Sequence, residues 1–195
     1  MPLTQLCLAT TNSGKLAEFK DYLQEYPLDI CMLDETYPDI AEIGSSFIEN
    51  ALIKAKAASE YYQMPVLADD SGICVPALDG APGVFSARYA GPDRNADDNM
   101  NLLLSELKSE ENRSARFKTV IALYFKGELI TFEGICEGEI TKNKTGTEGF
   151  GYDPIFQPEG YKKTFAEISL DEKNRIGHRG KAVSKLVTFF KNPLN

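Results

Sequence analysis

The chain has 195 residues, 43% of them hydrophobic and 26% charged, which is ordinary globular composition and argues against wholesale disorder. A net charge of -8 argues against a DNA or RNA backbone as partner, since such binding rests on many Lys and Arg contacts to phosphate. It leaves room for a small phosphate ligand that arrives with a metal ion.

Leu6-Cys7-Leu8-Ala9 reads as a first strand. Thr10-Thr11-Asn12-Ser13-Gly14-Lys15 follows, and then Leu16, Phe19 and Leu23 at helical spacing. Such a loop is either an anion site at a helix start, with Lys15 adding full charge, or simply a capped helix. It is not a Walker A loop, because Ala9 stands five residues before Gly14 and Leu16 replaces the required hydroxyl residue. Residues 28–32 alternate and suggest a second strand, and the acidic stretch from Asp34 to Glu42 suggests a loop. Ser46-x-x-Glu49 reads as a capping box. The helix it opens has an apolar face of Phe47, Ile48, Ala51, Leu52, Ala55 and Ala58, with Lys54 on the polar side.

Pro65-Val66-Leu67-Ala68 reads as a short buried strand that runs into Asp69-Asp70-Ser71-Gly72. Two adjacent acids at a strand end repel unless a cation or solvent intervenes. Hard oxygen ligands of this kind suit Mg²⁺, and a plain solvated turn is the other reading. Ile73-Cys74-Val75 suggests a further short strand and Asp79 to Gly83 a tight turn. Arg88 is either a structural clamp or a substrate contact. Asn95 or Asp97 caps a helix carrying Met100, Leu103, Leu104 and Leu107.

Residues 115–125 and 129–136 read as a hairpin turning at Lys126-Gly127. Gly146 to Pro154 is the most unusual loop. Its three glycines allow positive φ, and Phe150 and Tyr152 either stack on a nucleobase or turn into the core. A second box, Ser169-x-x-Glu172, precedes Lys173, Arg175, His178 and Arg179. Val183, Leu186, Val187 and Phe190 mark a final helix. Cys7, Cys31, Cys74 and Cys136 are scattered in apolar surroundings, without a Cys-x-x-Cys motif and with a single histidine. This speaks for core packing of each in a reducing compartment and against zinc. No signal peptide or run of about 18 apolar residues is visible, so a cytoplasmic protein without membrane contact is expected.

Four stretches, in order and spacing, resemble the inosine triphosphate pyrophosphatase family. They are Thr10 to Lys15, Ala68 to Gly72, Gly149-Phe150-Gly151-Tyr152-Asp153 and Gly177-His178-Arg179-Gly180, with Gly177 where the family has Ser. Phe47 to Ala51 and Gly80-Ala81-Pro82-Gly83 fit its bacterial branch. The resemblance implies one domain over 1–195 with two lobes. It implies an α/β fold around a long central mixed sheet, an active site in the cleft between lobes, and a homodimer. It implies Mg²⁺-dependent hydrolysis of ITP, dITP and XTP to monophosphate and pyrophosphate, keeping deaminated purines out of DNA and RNA. Carried over by position, Thr10, Thr11, Asn12, Ser13, Gly14 and Lys15 would hold the triphosphate. Asp70 would be proton acceptor and metal ligand, with Asp69 and Lys15 beside it in the chemistry and Glu42 as second metal carboxylate. Lys54, Ser71, Phe150, Gly151, Tyr152, Asp153, Lys173, His178 and Arg179 match substrate-binding positions. Donors from His178 and Arg179 would read the 6-keto group of the base. Whether Asp69 or Asp70 is the base stays open. The competing readings are a pyrophosphatase for other modified nucleoside triphosphates and a nucleotide-binding sensor without turnover.

Overall fold

A computed structural model describes residues 4–38, 40 and 42–191. Asp39 and Ala41, within the expected acidic loop, lie outside the described residues. The elements, in order, are β1 (Gln5–Leu8), α1 (Ser13–Leu23), β2 (Asp29–Met32), α2 (Phe47–Tyr62) and β3 (Val66–Cys74). Then come α3 (Ala96–Glu106), β4 (Ser114–Phe125), β5 (Glu128–Ile140), β6 (Phe156–Pro158), α4 (Leu170–Ile176) and α5 (His178–Lys191). They form an α/β fold with one six-stranded mixed sheet in the order β2-β1-β3-β4-β5-β6. β1 is parallel to both β2 and β3, whereas β5 and β6 are antiparallel. The parallel pairs follow from the sequence pattern strand, helix, strand, since a parallel partner needs a crossover.

The chain divides into two compact units. Unit 1 holds the chain up to Asp70, Thr119–Gly134 and the chain from Arg179, and unit 2 holds Ser71–Lys118 and Ile135–His178. The core of unit 1 packs Leu6, Leu8, Phe19, Leu67, Ile121 and Leu186, among others. That of unit 2 gathers Ile73, Leu103, Phe117, Tyr152, Phe156 and Phe165.

Several expectations need correcting. The acidic couplet does not end a strand. β3 runs unbroken through Asp69-Asp70-Ser71-Gly72 to Cys74, absorbing the separate strand expected at residues 73–75. Charge does not break the strand because cations, described below, replace solvent at both carboxylates. Ser46 and Ser169 cap as expected, and Glu49 reaches back to the Ser46 N–H while also accepting from the Ser45 N–H and hydroxyl. A further reciprocal box, not expected, pairs Thr164 with Glu167. Ile48 is exposed, and Asn50 takes the buried place on the inner face of α2. Cys7 and Cys136 are buried, but Cys31 is exposed and Cys74 half-buried, so core packing does not describe all four. Asn95 caps α3, and Lys126-Gly127 turns the β4–β5 hairpin with positive φ at both residues.

Candidate active site

In unit 1 the first loop opens α1. Asn12 accepts a hydrogen bond from the Lys15 N–H at 3.1 Å, and Thr10 accepts from the Asn12 N–H. Thr11, Asn12 and Ser13 are exposed, while Gly14 and Lys15 are half-buried. The loop therefore presents its polar groups at the positive end of a helix dipole. Lys15 reaches back to β3, with Nζ 3.0 Å from Asp69 Oδ1.

Asp69, 1% exposed, is the centre of a buried charge chain. Its other oxygen lies 3.2 Å from Arg179 Nη2, and Arg179 Nη1 pairs with Glu18 of α1. Burial alone would push the Asp69 carboxyl up, but Lys15, Arg179 and Lys54 override it and hold the group well below the usual carboxylate range. Asp69 is thus a carboxylate saturated by cations and a poor proton acceptor. Arg179 pairs with both Asp69 and Glu18 inside unit 1.

Asp70, 7% exposed, has different company. Lys54 Nζ lies 3.1 Å from Asp70 Oδ1, 2.9 Å from Glu42 Oε1 and 2.8 Å from the Asp69 carbonyl oxygen. Lys54 is thus no solvated lysine. Its ammonium is pushed down by burial, but Asp70, Glu42 and Asp69 outweigh that and raise it. Asp70 Oδ2 accepts from Asn50 Nδ2 at 3.1 Å. Burial raises the Asp70 carboxyl and Glu42 adds to the rise, with Lys54 opposing. This carboxylate is short of positive charge, unlike its neighbour. A single ammonium holds Glu42 and Asp70 together at one cation position.

No group of three or more His, Cys, Asp or Glu side chains able to hold a metal ion occurs among the described residues. Mg²⁺ asks for less, since one or two carboxylates with substrate phosphates complete its octahedron. The hard-oxygen pair of Asp70 and Glu42, already gathered about the Lys54 ammonium, fits that requirement.

In unit 2 the glycine loop folds onto Asp153. Asp153 Oδ2 accepts from the Phe150 N–H at 2.8 Å and from Lys173 Nζ at 2.6 Å. Gly149 has φ +76°, and an added Cβ there would come 2.1 Å from Asp153 Oδ2, so only glycine fits. Lys173 Nζ lies over the half-buried Phe150 ring, 4.6 Å from its centroid. The two aromatics part ways. Tyr152 turns into the core and donates its hydroxyl to the Ser86 carbonyl at 2.8 Å, so its ring is no stacking platform. Gly151 keeps φ +64° between them. His178 is buried, stacked on Phe117 with centroids 4.5 Å apart and planes 12° apart. Gly177 ends α4 with its N–H on the Lys173 carbonyl, and a Cβ would sit 2.6 Å from that oxygen. A serine here needs the end of α4 to shift. Ser71 is half-buried on β3, and the Arg88 guanidinium lies 5.3 Å from the centroid of the exposed Phe85 ring.

The structure therefore gathers Lys15, Asp69 and Arg179 in one cluster of unit 1, and Glu42, Lys54 and Asp70 in the adjoining one. Phe150, Asp153 and Lys173 gather in unit 2. Sequence reasoning passed over Glu18 and assigned no role to Asn50. Both left a signal: Lys15, Glu18 and Tyr22 share one face at helical spacing, and Asn50 falls on the stripe of Phe47, Ala51 and Ala58. A charged or amide group on a buried stripe must have a partner.

A mixed sheet of this order, with helices between its strands in the chain, defines an α/β protein. Within that class the chain belongs to the Ham1 family, which it matches over residues 6–189. It is 50% identical over 185 residues to the dITP/XTP pyrophosphatase of Flavobacterium johnsoniae, covering 94% of this chain and 96% of that protein. To the dITP/XTP pyrophosphatase of Aquifex aeolicus it is 46% identical over 197 residues, 96% of this chain and 97% of the other. The fold superposes on a Ham1 protein from Coxiella burnetii with a TM-score of 0.89 at 41% identity, over 97% of this chain and 99% of that one. The Ham1 protein of Staphylococcus aureus gives 0.87 at 38% identity, over 97% and 100%.

Proposed function

We propose that this chain is a nucleoside triphosphate pyrophosphatase acting on dITP, XTP and ITP, releasing pyrophosphate and the monophosphate. The reading rests on family membership over nearly the whole chain and, in the structure, on one observation: Asp70 and Glu42 share a single ammonium beside a lysine-bearing helix start. Asp70 and Glu42 are the residues that would hold Mg²⁺. When bound, that ion supplies positive charge to the phosphate oxygens and the departing pyrophosphate. Thr10 to Lys15 cradle the phosphates through backbone N–H groups, short hydroxyls and the Lys15 ammonium. Lys54 adds charge to the same region. Asp70 accepts the proton of the attacking water, because Asp69 is already neutralised by Lys15 and Arg179. Positioning and electrostatics carry most of the acceleration in phosphoryl chemistry, so the lysines matter as much as the base.

Recognition of the nucleoside is assigned to Phe150, Gly151, Asp153, Lys173 and His178 of unit 2, with Ser71, and Tyr152 serves them as a core anchor. A buried donor built to meet the 6-keto oxygen leaves the adenine amino group unmatched, and such sites reject the wrong partner by up to about 10⁴-fold. His178 is the donor assigned to that oxygen. No helix among the described residues is long and apolar enough to cross a membrane. A cytoplasmic homodimer is the setting that goes with this reading. The test is pyrophosphate release with Mg²⁺ from dITP, XTP, ITP, GTP and ATP. Fast release from dITP, XTP and ITP and slow release from ATP is expected, while GTP, which shares the 6-keto oxygen, reports on contacts at the 2-position. Equal rates with all five would refute the selectivity, and no release from any would leave a binding protein without turnover.

A further inference from the structure

A buried amide is inserted between the acidic loop and the assigned base. Asn50 is 0% exposed on the inner face of α2. Its Oδ1 accepts from the Gly44 N–H at 2.8 Å, and its Nδ2 donates to Asp70 Oδ2 at 3.1 Å. The first contact fixes which way the amide faces, since only the oxygen can accept from a backbone N–H. The Nδ2 donor is thereby aimed at Asp70. Gly44 is two residues from Glu42, so the loop that carries one carboxylate is tied through Asn50 to the other. Gly44 is also held to glycine: an added Cβ would come 2.6 Å from Asn50 Oδ1 and 2.7 Å from Glu49 Cβ. Loop, helix and strand meet at this one side chain.

We propose that Asn50 is a positioning residue for the pyrophosphatase reaction: it fixes one oxygen of Asp70, leaves the other for catalysis, and holds the Glu42 loop in register with it. The inference rests on the role given to Asp70 above. A carboxylate held on one oxygen has its rotamer set, and its second oxygen returns to the same place at each turnover. Lys54 meets that second oxygen, Oδ1, at 3.1 Å. The Asn50 amide is taken up by Gly44 and Asp70, so its loss acts on the chemical step and spares nucleotide binding.

The test is steady-state kinetics with dITP and Mg²⁺, together with thermal melting. Asn50→Asp keeps the shape and the acceptor for Gly44 but removes the donor to Asp70. It should lower kcat by about 10- to 100-fold with KM within about twofold, the pattern of an interaction that matters in the transition state alone. Gly44→Ala, which adds no charge, should displace the amide and lower kcat in the same direction by about fivefold or more. In the Asn50→Asp/Asp70→Asn double variant the amide and carboxylate are exchanged. Its melting temperature should exceed that of Asn50→Asp while its turnover stays lost, which separates the contact from the chemistry. Unchanged kcat in both single variants would overturn the proposal. So would a raised KM at constant kcat, or no recovery of melting temperature on exchange. Failure of the unmodified protein to hydrolyse dITP would refute the proposed function instead, and the melting cycle would still decide the Asn50–Asp70 contact.

Discussion

Replacing Asp69 by Asn is the substitution that separates the two neighbouring acids most sharply. The amide has the same shape, so packing is conserved and the change is one of charge. It leaves Arg179, with 3% of its side chain exposed, and Lys15, with 17%, facing a neutral group. Arg179 keeps Glu18, but Lys15 is left with the repulsion of Arg179 and Lys54. Breaking a buried ion pair by removing one partner costs about 3–5 kcal/mol, and the partial exposure of Lys15 places this case near the lower end, about 3 kcal/mol. For a domain of this length each kcal/mol is about 2–4 °C in Tm, so Asp69→Asn should melt about 6–12 °C below the unmodified protein. Asp70→Asn should differ little. Burial and Glu42 already push that carboxyl up, so neutralising it relieves strain at one partner while it weakens the bridge to Lys54. We expect Tm within about 3 °C and kcat down by about 10²-fold or more.

Calorimetry on both variants from pH 7 down to pH 3 checks the origin of the effect. Asp69 is held below its ordinary value of 3.8 in the folded chain. Its stabilisation is therefore complete above the unfolded value and is lost as pH falls toward the folded one. The Tm gap between the unmodified protein and Asp69→Asn should be constant near neutrality and narrow steadily below about pH 4. A gap under about 2 °C at pH 7, or equal losses for the two variants, would refute the assignment of structural charge to Asp69 and chemistry to Asp70.

Three further outcomes are expected. Lys54→Met removes the ammonium between Glu42 and Asp70, so the variant should melt lower in chelator and gain more Tm from Mg²⁺ than the unmodified protein; an equal gain would place the ion elsewhere. Gly149→Ala drives a Cβ to 2.1 Å from Asp153 Oδ2 and should raise KM for dITP about tenfold or more by dismantling the Phe150–Asp153–Lys173 cluster, which an unaltered KM would contradict. His178→Ala should erode the preference for dITP over dATP in competition assays; a preserved ratio would move base reading to another residue.

Periodicity carried most of the architecture. The alternation of short apolar runs with helix-spaced stretches indicates a mixed α/β sheet, and the Lys126-Gly127 turn between two apolar runs indicates the β4–β5 hairpin. What periodicity could not reveal was long-range charge pairing. Asp69-Asp70 resembles a turn in any local window, because its partners lie on α1, α2 and α5, up to 110 residues away. The same limit hid the fate of Arg179, which stands beside His178 in sequence but commits its guanidinium to Glu18, 161 residues distant. Phe150 and Tyr152 could not be told apart by type; the tie between the Tyr152 hydroxyl and the Ser86 carbonyl decides that one enters the core.

The division of labour between the two acids follows from strand geometry. Successive side chains of a strand point to opposite faces, so a couplet buried within β3 must find separate partners. Asp69 meets α1 and α5, through Lys15 and Arg179, and Asp70 meets α2, through Lys54 and Asn50. Had both acids faced one way, the same cations would have neutralised both, and neither would have been left short of charge. Alternation lets one carboxylate be satisfied within the protein while its neighbour keeps an unmet demand for positive charge. On the proposed reading, a divalent ion and a polyphosphate together meet that demand, with Glu42 beside Asp70 on the same ammonium.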